Sequence, residues 1–123
     1  MDKLKFISDQ MAAIGVNYEF IAWTSEPKYP YFVGDITELP VTTADGKHES
    51  TMLLSGFTRG DILDLEIAKN KIKAHFHPLH GLHGQTAGGA IVVFYDGAQY
   101  IPTGEAELYR VEMTIKILEG RVT

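Results

Sequence analysis

Cysteine is absent from the sequence, which removes disulfides, thiolate zinc sites and thiol nucleophiles together. The fold must then rest on packing and backbone hydrogen bonds. No apolar run approaches the roughly 18 to 20 residues that a bilayer helix needs. The segment Met1-Asp2-Lys3-Leu4-Lys5 also lacks the apolar stretch and small-residue cleavage site of an export signal. Basic charge is scarce: 11 Lys and Arg face 16 Asp and Glu. The resulting net charge of −5 disfavours a grip on nucleic acid, because phosphate affinity comes from clustered cations that release counterions. Repeats, low-complexity tracts and Pro-, Gly- or Ser-rich linkers are missing too, so nothing divides the chain, and 123 residues suit a single domain spanning 1–123. What is present is ordinary for a globular protein, 45% apolar and 22% charged, which argues against disorder.

Periodicity supplies the elements. Leu4, Ile7, Met11 and Ile14 recur at three- and four-residue steps and predict a helix over residues 2–14 that Gly15 terminates. The aromatic run Tyr18 to Trp23 suits a short extended segment. Strands are expected at Tyr31–Val41 and Glu49–Phe57, joined by the turn Ala44-Asp45-Gly46-Lys47. Asp61 caps a second helix with Asp64 in the reciprocal position, and Ile62, Leu65, Ala68, Ile72 and Phe76 form its buried stripe. Between His75 and Gly89 five glycines or prolines predict a surface loop. Ala90–Tyr95 reads as a buried strand ended by a turn at Asp96-Gly97, and the alternation from Tyr109 to Ile117 as a strand with one dry face. The resulting expectation is an α+β fold: a single mostly antiparallel sheet with two helices packed on one face, in the order helix, β-hairpin, helix, strand pair.

The sharpest chemical signal is the segment from His75 to His83, which holds four of the five histidines. Imidazoles on a loop can gather around zinc or nickel. Their spacing matches neither a helical His pair with an intervening Glu nor a zinc finger, and no cupin-like carboxylate partner or barrel pattern accompanies them. Gly81, Gly84, Gly88 and Gly89 lack the preceding strand, the Lys-Ser/Thr pair and the following helix of a phosphate cradle. Ser25 and Ser55 have no histidine placed by sequence logic, and Asp61, Asp64 and Glu66 read as helix-start charges. The aromatics Tyr18, Phe20, Trp23, Tyr29, Tyr31 and Phe32 have few basic residues among them, which favours a core or subunit contact over base stacking.

Four stretches resemble a known family: Tyr29-Pro30-Tyr31-Phe32-Val33-Gly34, the run Glu49 to Gly60, the helix end Lys71-Ile72-Lys73-Ala74-His75-Phe76, and the run Ile101 to Arg110. They are similar to the tail terminator or tail-completion (head–tail joining) proteins of long-tailed bacteriophages and prophages. The resemblance implies a structural virion protein, not an enzyme, that needs no cofactor. About six copies would close into a ring capping the tail tube, ending tail polymerisation and providing the joint to the head. Its implied partners are itself, as a homo-hexamer, the tail tube protein, and a head–tail connector or neck protein, with DNA only as passing cargo and no membrane. Assembly would take place in the bacterial host cytoplasm and leave the protein in the virion tail. For the contact between copies, two exposed stretches stand out: the hairpin tip Asp45, Gly46 and Lys47, and the loop carrying His77, His80 and His83. The competing readings are a metal-binding enzyme built on the His75–His83 loop and a small adaptor domain.

Overall fold

A computed structural model describes residues 2–21, 26, 28–38, 48–86 and 89–120. The first helix, α1, runs Asp2–Ala13 and buries Ile7 and Met11. Gly15 ends it at φ +74°, a left-handed conformation that costs a residue without a Cβ little, and its N–H donates to the carbonyl of Ala12. The chain continues into β1 (Asn17–Phe20), β2 (Tyr31–Glu38) and β3 (His48–Arg59). The second helix, α2 (Ile62–His75), begins at Asp61, whose carboxylate accepts from the N–H of Leu63 at 2.9 Å. Three strands complete the fold: β4 (Leu82–Thr86), β5 (Gly89–Ile101) and β6 (Leu108–Glu119).

All six strands belong to one sheet, in the order β1-β2-β3-β6-β5-β4, curled into a half-barrel. Along β3 the inner face presents Ser50, Met52, Leu54, Gly56 and Thr58, all buried. Phe32 of β2, the alternating Val111, Met113, Ile115 and Ile117 of β6, and Ile91 and Val93 of β5 extend that face. Ile7 and Met11 from α1, Leu65, Ala68 and Ile72 from α2, and Phe76, which caps the C-terminus of α2, close over it as one core. Burial of each Val, Leu, Ile, Phe and Met side chain among them contributes roughly 1.5 to 3 kcal/mol, before conformational entropy is set against it.

This architecture overturns the expected one. The sheet is mixed rather than mostly antiparallel, because β1 pairs in parallel with β2, Asn17 opposite Tyr31 through Phe20 opposite Gly34. The helix, hairpin, helix, strand-pair order fails as well, since β1 and β4 add a strand at each edge. Parallel pairing of successive strands demands a crossover, which no tight-turn signal announces. Asn17 locks it by donating through its side-chain amide to the carbonyls of Lys28 at 3.0 Å and Pro30 at 3.1 Å.

The predicted surface loop from His75 to Gly89 contains β4, paired antiparallel with β5. Gly84 does not break this strand; a Cβ there would fall 2.4 Å from the Phe6 ring, so glycine lets α1 approach closely. Asp96-Gly97 is not a turn either. The pairing of β5 with β6 shifts register between Tyr95 and Gly97, with Gly97 at φ +135°, so the pair is a β-bulge inside a 13-residue strand.

Candidate functional site

Asp45, Gly46 and Lys47, the expected contact tip, lie outside the described residues. The histidines lie within them, at the junction of α2 and β4. His77 stacks on His80 with ring centroids 4.9 Å apart. Its Nδ1 accepts from the backbone N–H of Leu79 at 3.1 Å and of His80 at 3.3 Å, while Gly81 N–H donates to the His77 carbonyl. His83, on β4, donates from Nε2 to the His80 carbonyl at 3.0 Å. His75 faces the Gln10 side-chain carbonyl at 2.7 Å. The His77 and His83 imidazoles thus shape the turn, that of His80 stacks on His77, and among the described residues no group of three or more His, Asp or Glu could hold a metal ion.

Other polar constellations are equally local. Glu66 accepts from the hydroxyl of Tyr100 and pairs with Lys69 at 2.7 Å, which hold its carboxyl below the usual carboxylate range. Burial, with the Glu66 hydrogen bond, pushes the Tyr100 phenol upward. Ser55 accepts a 3.4 Å hydrogen bond from the Arg110 guanidinium, a group that stays protonated and cannot take the serine proton as a base. These contacts tie β3, β5, β6 and α2 together and place no nucleophile beside a base.

The distinctive surface is the face of the sheet that the helices leave open. Strand geometry sends every second side chain there. On β2 these are Tyr31, Val33 and Asp35, on β3 Leu53, Ser55 and Phe57, and on β6 Arg110. With Ile21 they line a groove of about 490 Å³. At one end Tyr31 stacks on Phe57 at 5.3 Å, Tyr29 lies 5.5 Å from Tyr31, and the Arg110 guanidinium sits 5.6 Å over the Phe57 ring. The Arg110 Nε is buried there without a hydrogen-bond partner among the described residues. Ile21 borders the groove at φ +73°, rare for a β-branched residue, and is 60% exposed. Its N–H donates to the Gly34 carbonyl at 2.7 Å, which holds the chain in that conformation.

A second apolar surface lies on α2. Leu63 and Ile67, four residues apart, are 56% and 50% exposed, on the side of the helix turned away from buried Leu65, Ala68 and Ile72. Ile62, expected in the buried stripe, is also partly exposed, because it stands in the first turn beside the loop from Tyr100 to Arg110. Sequence reasoning placed Tyr29 and Tyr31 among candidate core or subunit contacts but did not identify the groove they border or the surface on α2. The available signal was on β3 and α2: Leu53 and Phe57 are apolar on the strand's second face, and Leu63 and Ile67 on the helix's.

No protein-family model matches the sequence, and no curated protein matches it. Solved structures do share the fold. A chain from the virion of a native gene transfer agent particle is 11% identical, with a TM-score of 0.63 over 90% of this chain and 84% of that one. A second solved chain is 14% identical, with a TM-score of 0.67 over 94% of this chain and 88% of that one. Nearly the whole of this chain is therefore similar in fold to a component of a gene transfer agent virion.

Proposed function

We propose that this chain is a structural subunit of a phage-like virion, and that about six copies close into a ring capping the tail tube. In this reading the ring ends tail polymerisation in the bacterial cytoplasm and offers its far face to the neck of the filled head. The observation that carries it is the likeness in fold, over 90% of the chain, to a component of a gene transfer agent virion. Two further features agree with it. The open sheet face carries an aromatic and aliphatic groove of the kind that subunit contacts bury. The net charge of −5 suits a channel through which DNA passes without being held. Among the described residues no helix is long and apolar enough to cross a membrane.

The decisive experiment is native mass spectrometry and negative-stain microscopy of the purified protein over a range of concentrations, with and without tail tubes. A closed particle near six subunit masses, seated on tube ends and shortening the tubes that grow, is the expected result. A protein that remains monomeric even beside growing tubes, leaving their length unchanged, overturns the reading. The histidine turn adds no support to a metal reading, since His77 and His83 bond the backbone, His75 faces Gln10, and among the described residues no group of three or more His, Asp or Glu could hold a metal ion.

A further inference from the structure

We infer that the two apolar surfaces are halves of one contact, in which the α2 ridge of one copy lies in the sheet groove of the next. This rests on the ring reading and names the contact that would build the ring. The groove opens on the face of the sheet that the helices leave bare, and the ridge lies on the helix side, where Asp64, Ile67 and Lys71 border a pocket with Asn17, Tyr29 and Pro30. Two patches on opposite sides of a molecule do not meet their own kind across a two-fold axis. Each copy gives its ridge to one neighbour and its groove to the other, which is the arrangement that closes into rings.

Charge supports the same occupant and sets its direction. Leu63 and Ile67 form the crest, and Asp64 and Lys71 flank the same side at steps of three and four residues from Ile67. In the groove Val33 and Ser55 form the middle row, with Arg110 beside Tyr31 and Phe57 at one end and Asp35 beside Leu53 at the other. Arg110 lies level with Phe57 and Asp35 level with Leu53, four residues apart along β3, or roughly 13 Å. Asp64 and Lys71 are seven residues apart on α2, or roughly 10 Å. The long side chains of Arg110 and Lys71 span the difference, so Asp64 meets Arg110 and Lys71 meets Asp35 while Ile67 fills the middle. In the groove the Arg110 guanidinium touches Ser55 and lies 3.6 Å from Glu112, while its buried Nε has no hydrogen-bond partner among the described residues and the Ile21 side chain stays exposed.

The test uses two single variants and their mixture. Leu53→Glu places a charge in the groove, and Ile67→Glu places one on the ridge; both positions are exposed, and circular dichroism verifies that each variant folds. Sedimentation velocity on the wild type, under the conditions where it forms rings, is the reference. Each variant alone is expected to sediment as a monomer, with assembly weakened at least 100-fold. An equal mixture is expected to give a heterodimer and nothing larger, since one intact ridge meets one intact groove. Arg110→Glu is likewise expected to disrupt the ring, and Asp64→Arg added to it to restore assembly. Rings formed normally by both variants overturn this contact and leave the ring reading standing on some other surface. A wild type that never assembles overturns both.

Discussion

At the residue scale, the most constrained positions are those where a backbone touches an aromatic ring. A Cβ on Gly56 would fall 2.3 Å from the Phe32 ring, which is fully buried and has no room to move. Gly56→Ala is therefore expected to destabilise the fold by about 1 to 3 kcal/mol, read as a lower urea midpoint. Gly60, with nothing near its Cβ position but φ +101°, is constrained by conformation instead. Lys3 poses an electrostatic question. Its ammonium reaches Glu38 at 2.7 Å, Glu119 at 3.2 Å and the Ser50 hydroxyl at 3.1 Å. Burial lowers its affinity for the proton, but the hydrogen bonds and charges of Glu38 and Glu119 outweigh that and raise it overall. The hydrogen bond from Lys3 in turn lowers Glu38. The Glu38 contribution is present above the unfolded carboxylate value of about 4.3 and is lost as pH falls through the lower folded value. The Lys3 contribution is present below the unfolded lysine value of about 10.4 and is lost as pH rises through the higher folded one. Urea midpoints measured from pH 2 to 11 should show a plateau between these limits for the wild type, with a shallower fall on the acid side for Lys3→Met.

At the element scale, local rules were legible where local chemistry decides. The Asp61 cap forms as its residue type and position suggest, while the reciprocal Asp64 hydrogen bond is absent among the described residues. Asp61→Ala should cost about 1 kcal/mol in thermal or urea unfolding, by leaving an N–H of the first turn without its acceptor. The edge elements were not legible. In β4 the residues Leu82 to Thr86 hold a glycine and only one large apolar side chain, so neither alternation nor propensity marks a strand. Pairing with β5 makes it one, by satisfying backbone groups rather than by burying side chains. The same holds for Asp96-Gly97, where turn chemistry serves a bulge because β6 continues alongside and there is nothing for the chain to turn back on. The histidine turn follows from His77 accepting two backbone N–H groups. Replacing His77 and His80 together by alanine should lower the melting temperature by a few degrees and leave the remaining stability unaffected by a chelator; chelator sensitivity in the wild type would reopen the metal reading.

At the scale of the whole molecule, function depends on what the core leaves uncovered. The fold buries one face of a curled sheet under two helices and leaves the other face open, with the Tyr31–Phe57 stack and the Arg110 guanidinium on it. An acidic protein of this kind should not retain duplex DNA at physiological salt, and gel-shift titration to micromolar protein should show no retarded band. The sequence by itself determined several things about this protein: packing without disulfides, both helices with their buried stripes apart from Ile62, the paired strands β2 and β3, and the alternation of β6. Each of these is written in short-range spacing or in the presence or absence of one residue type. The tertiary structure alone decided that β1 runs parallel to β2, that β4 joins the far edge, and that Leu53, Leu63 and Ile67 stay exposed. The reason is physical: spacing tells which face of an element is apolar, but whether a neighbour arrives to cover that face is settled by long-range pairing that no local pattern encodes.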